Sequence, residues 1–108
     1  MTFDELLKNV GQIKCIESRS VTAEYYEVVV STNDLEKLNE ALSAYFGPPK
    51  GPPGGKYSPD VAQHAEPYGG VRGGQTMYFR NHKTGLELAL LWPWSNGTSL
   101  TVKIVRKQ

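Results

Sequence analysis

Eight of the eleven glycines and six of the seven prolines in this chain of 108 residues fall between Gly47 and Gly74. Proline fixes φ and removes a backbone donor, and glycine loses more conformational freedom on ordering than any other residue. A regular helix or strand cannot run through such a stretch. It separates two well-patterned parts, residues 1–46 and 75–108. Neither part is long enough to bury an adequate core alone. The stretch therefore reads as a long loop inside one domain, and connections of that length are commonly functional or disordered.

The first part carries two helices with their own boundaries. Thr2 and Glu5 make a capping box, Phe3, Leu6, Leu7 and Val10 follow at helical spacing, and Gly11 supplies a left-handed stop. The second helix is capped by Asn33 with Glu36 at the reciprocal position. Leu35, Leu38, Leu42 and Tyr45 form its apolar stripe, flanked by Ala41, and Gly47 with Pro48 and Pro49 ends it. Between the helices, Ile13 to Ser18 and Tyr25 to Ser31 read as strands, the latter rich in β-branched and aromatic residues, with a turn at Ser18-Arg19-Ser20.

The last third reads as a three-stranded meander. Gln75 to Asn81 precedes the turn His82-Lys83-Thr84-Gly85. Leu86, Leu88, Leu90 and Trp92 then alternate with Glu87 and Ala89, the period of a half-buried strand. Pro93 stops that strand, Ser95-Asn96-Gly97 turns the chain, and Leu100, Val102 and Ile104 alternate with Thr101 and Lys103. The order α-β-β-α-long loop-β-β-β predicts an α+β fold: an antiparallel sheet of about five strands with two helices packed on one face.

Composition narrows the function classes. Cys15 is the only cysteine, so an intrachain disulfide is excluded and a reducing, cytoplasmic setting is expected. The N-terminus has acids where a signal peptide needs basic residues, and no apolar run approaches a membrane span. Residues 1–46 hold four Lys/Arg against eight Asp/Glu, residues 47–108 eight against three. That asymmetry either steers anions or draws the two parts together, and the second reading is the simpler. The net charge of +1 is far short of a nucleic-acid binder's.

Within the loop, Gly54-Gly55-Lys56 lacks the first glycine and the Ser/Thr of a phosphate loop, and Tyr57 follows the lysine. Gly69 to Gly74 precedes a strand rather than a helix and so fails the dinucleotide pattern. Ser58-Pro59-Asp60 reads as a helix start, with a turn or two through Val61, Ala62 and His64 ended by Pro67. Pro49-Lys50-Gly51-Pro52 has polyproline-ligand spacing, but its glycine loosens that helix. His64 and His82 offer no metal spacing, and Cys15 reads as a small buried strand residue. No cofactor or metal is implied. Tyr78 and Arg80 share a strand face that would suit a stacking platform for single-stranded nucleic acid, but without the aromatic-glycine pattern such sheets carry. In Trp92-Pro93-Trp94, alternation sends Trp92 inward with Leu90. Trp94, beyond the break, is either a platform for a ligand or a cover for the sheet end.

These features favour a non-catalytic binding module. Lys56, Tyr57, His64, Tyr68, Arg72 and Trp94 would face a protein partner or a small anionic ligand. One rival is a small enzyme with His64 as general base and Tyr57, Tyr68 or Arg72 stabilising charge. Another is a self-associating subunit whose edge strand pairs with its twin.

Overall fold

In the computed structural model, which describes residues 2–22, 24–50, 62–70, 75–82 and 85–107, the strands are β1 (Cys15–Val21), β2 (Tyr25–Ser31), β3 (Thr76–His82), β4 (Gly85–Pro93) and β5 (Ser99–Lys107). They form one antiparallel sheet in the order β1-β2-β5-β4-β3. Three of its four pairings are hairpins between neighbours in sequence. The fourth, β2 with β5, joins the two parts of the chain in unbroken register from Tyr25 opposite Val105 to Ser31 opposite Ser99. With helices α1 (Phe3–Gly11) and α2 (Leu35–Phe46), this is the α+β architecture that the sequence pattern predicts.

Local chemistry explains the element ends, with some differences from the pattern. Thr2 caps α1 by accepting the Glu5 N–H. Gly11, however, is the last helical residue and is not left-handed; Gln12 closes the helix, its N–H donating to the Asn9 carbonyl while the Ile13 N–H donates to that of Val10. Asn33 does not cap α2. It sits in a 3-10 turn, Thr32–Asp34, whose cap is the Ser31 hydroxyl accepting the Asn33 N–H. Gly47, at φ 80°, does end α2. Ser18-Arg19-Ser20 is strand, not turn. The chain reverses after Thr22, whose hydroxyl accepts from the Glu24 and Tyr25 N–H groups. At the β4–β5 turn the Asn96 side chain accepts from the Thr98 and Ser99 N–H groups.

Both helices pack on one face of the sheet. Phe3, Leu6 and Val10 of α1 and Leu38, Leu42, Tyr45 and Phe46 of α2 meet Val28, Val30, Ala89, Leu91, Leu100, Val102 and Ile104. The opposite face has its own apolar cluster, Met77, Leu88, Leu90 and Val105, closed by Ala65 of a 3-10 helix, Gln63–Tyr68. Pro67 lies inside that helix rather than ending it, and its stop is Gly69 at φ 105°. The Ser58-Pro59-Asp60 helix start lies outside the described residues.

The second layer corrects the reading of β4 as half-buried. Leu88 and Leu90 point under the 3-10 helix, while Glu87, Ala89 and Leu91 point under the long helices, and all five are buried. A strand covered on both sides needs no polar phase. Among the described residues no helix is long and apolar enough to cross a membrane.

Candidate binding surface

The two layers cover the sheet unequally. Among the described residues the 3-10 helix lies over β3, β4 and the end of β5 and reaches β2 through Tyr68; on this face of β2, Tyr25 and Glu27 are half-buried and Val29 is buried. β1 is exposed at every position except Ser20. Cys15 is therefore on the surface, not buried as the sequence suggests.

Across the β1–β2 side of this face runs a continuous chain of side-chain contacts. Tyr68, at the end of the 3-10 helix, stacks on Tyr25 of β2, ring centres 6.1 Å apart. The Tyr25 hydroxyl donates to Glu27 at 2.5 Å. Glu27 faces Arg19 of β1 at 3.5 Å, and Arg19 also approaches Glu17 at 3.4 Å. The Arg19 guanidinium lies 5.7 Å from the Trp94 ring centre. The Trp94 indole N–H donates to Thr101 of β5 at 2.8 Å. Trp94 thus both covers the sheet end and keeps 38% of its surface exposed.

Lys103 anchors the 3-10 helix beside this stripe. Register sets it opposite Glu27. Its ammonium lies 3.7 Å from the Trp92 ring centre and donates to the Tyr68 carbonyl at 2.9 Å. Burial lowers its pKa; Glu27 acts the other way and Arg19 in the same direction. Burial, then the bond to Glu27, raises the Tyr25 pKa, so the hydroxyl remains a donor. Trp92 packs beneath Gly69, and its buried indole N–H has no acceptor among the described residues. Beyond Tyr68, a cleft of about 320 Å³ is lined by Glu24, Tyr25, Tyr68, Val105, Arg106 and Lys107.

Of the residues singled out from sequence, Tyr68 and Trp94 lie at the two ends of this stripe. His64 does not join them: its ring stacks on Phe79 of β3, centres 4.9 Å apart. Lys56, Tyr57 and Arg72 lie outside the described residues. Arg19, Tyr25, Glu27 and Lys103 were not anticipated. Strand phase alone puts Lys103 on the polar side of β5, but bringing Glu27 to it requires the β2–β5 register, which no local pattern encodes.

The Tyr78 and Arg80 platform is not formed. Tyr78 is buried under α2, its hydroxyl donating to Asn39 at 2.7 Å, and Arg80 lies over the Tyr45 ring. Glu87, on the same face, is buried with Arg106 at 3.1 Å and accepts from the Tyr45 hydroxyl. This is a closed structural network, and burial with the Glu87 bond pushes the Tyr45 pKa up to about 12. Among the described residues no group of three or more His, Cys, Asp or Glu could hold a metal ion. No family model, curated protein or solved structure matches this chain.

Proposed function

We propose that this protein is a non-catalytic binding module that receives a protein partner on the β1–β2 side of its sheet. The observation that carries the reading is the stripe Tyr68–Tyr25–Glu27–Arg19–Trp94. Tyr, Trp and Arg are the residues enriched among interface hot spots, because each combines a large apolar or stacking surface with a polar tip. A protein surface of mixed charge suits the stripe better than a small anion. Arg19 is already shared between Glu17 and Glu27, and Lys103 is already bonded to the Tyr68 carbonyl.

The general-base reading of His64 has less behind it. A base must reach the proton it removes, and this ring lies face to face with Phe79, apart from the Tyr68–Tyr25 stack.

Selection of a random peptide library on the immobilised protein tests the proposal. Peptides retained by the wild type are expected to be lost from a folded Arg19→Ala/Trp94→Ala variant. Truncating a hot-spot residue costs about 2 kcal/mol or more, roughly thirtyfold in Kd. Equal retention by both proteins would reject the stripe as the docking surface.

A further inference from the structure

We infer that a second copy of this chain pairs with β1 across a two-fold axis at Ser18, joining two sheets edge to edge. The inference names a partner for one margin of the proposed docking surface and rests on that reading of the β1–β2 side.

The two sheet edges are treated differently. At β3 the chain leaving α2 comes back alongside, and the Lys50 N–H bonds the Met77 carbonyl. Among the described residues, no backbone group outside the sheet reaches β1 in this way. β1 also shows large apolar side chains to solvent, with Ile16 62% and Val21 63% exposed. An open edge strand is a template for pairing with another chain.

The sequence of β1 is complementary to itself. Ser18 is the midpoint of Cys15–Val21. Antiparallel pairing about it sets Glu17 of each copy opposite Arg19 of the other, and Cys15 opposite Val21. Both ion pairs would fall on the face that holds the stripe, where Glu17 and Arg19 already approach each other. The Cys15–Val21 contacts would fall on the helix side, since those residues pair with Val30 and Tyr26 of β2. Opposite charges directly across antiparallel strands stabilise the pairing and like charges oppose it, so this register is selected over its neighbours. β1 carries two irregularities, between Cys15 and Glu17 and between Ser18 and Ser20. Such bulges guard edges against indiscriminate pairing. They limit the joint to a short run, which makes the charge match decisive and the association concentration-dependent.

The test is light scattering on the full chain over a wide concentration range. Wild type is expected to approach twice the monomer mass at high concentration. Glu17→Arg and Arg19→Glu should each remain monomeric, because each places like charges opposite across the axis. The Glu17→Arg/Arg19→Glu double variant should dimerise as wild type does. An equimolar mixture of the two single variants should form a heterodimer, although neither single variant regains its own Glu17–Arg19 pair. Recovery in the mixture therefore reports the contact between chains and not a repaired fold. A wild type that stays monomeric, single variants that dimerise like wild type, or a mixture that fails to recover would each overturn the inference. Peptide selection on the stripe uses a foreign ligand, so its outcome separates failure of twin pairing from failure of the docking surface.

Discussion

Gly69 stands at φ 105°, and a Cβ there would lie 2.3 Å from Cη2 of Trp92. Left-handed backbone and close approach both demand glycine at this point. Gly69→Ala is expected to destabilise the fold by about 1–3 kcal/mol from overpacking alone and to shift the Trp92 fluorescence, as denaturant titration would show. Gly97, also at positive φ but with open space around it, should show strain without overpacking. Tyr45 makes a different prediction. Its folded pKa of about 12 lies above its ordinary value of 10.0, because burial and the bond to buried Glu87 favour the protonated form. Stability from this group is complete below about pH 10 and is lost as pH rises toward about 12. Tyr45→Phe should remove its share of that alkaline decline and leave the Glu87 carboxylate short of a donor, at a cost of about 1–3 kcal/mol. Unfolding curves between neutral pH and pH 12 compare the two proteins; identical alkaline limbs would contradict the assignment.

The 3-10 helix makes the second face of the sheet a core in its own right, since Leu88 and Leu90 are as buried there as Leu38 and Leu42 are beneath the helices. Leu90→Ala and Leu42→Ala should therefore each cost about 2–5 kcal/mol. A Leu90→Ala cost below about 1 kcal/mol, little more than an exposed substitution, would show that the layer is not packed. Much of the element pattern was legible from residue spacing. The apolar stripes from Phe3 to Val10 and from Leu35 to Tyr45 mark both helices, and the Leu100, Val102 and Ile104 alternation marks β5. The burial of both faces of β4 was not legible, because its covering layer comes from the Gly/Pro-rich stretch, which carries no period. Cys15 was misplaced for a related reason. Residue type predicts average burial, whereas position at the sheet edge decides this case. Tyr68 and Trp94 could be singled out locally, but their link through Tyr25, Glu27 and Arg19 depends on strands brought together only by the fold.

The whole molecule is held by the pairing of β2 with β5, where the two parts of the chain become one sheet. The described ion pairs do not bridge these parts: Arg19 pairs with Glu17 and Glu27, and Arg106 with Glu87. Backbone pairing, the core shared between Val28, Val30, Val102 and Ile104, and the hydrogen bonds of Tyr45 to Glu87 and Tyr78 to Asn39 do the joining. Unfolding is therefore expected in one cooperative transition, with far-UV and near-UV circular dichroism coincident; separate midpoints would mean two independently folding pieces. On the proposal, a partner docks along the β1–β2 side, where β1 is exposed at every position except Ser20. Chemical-shift mapping with a selected peptide tests this most directly. The account predicts that the Trp94 indole N–H and the amides of Arg19, Glu27 and Thr101 move on binding. Shifts confined to the outer face of α2, or to His64 and Phe79, would contradict it.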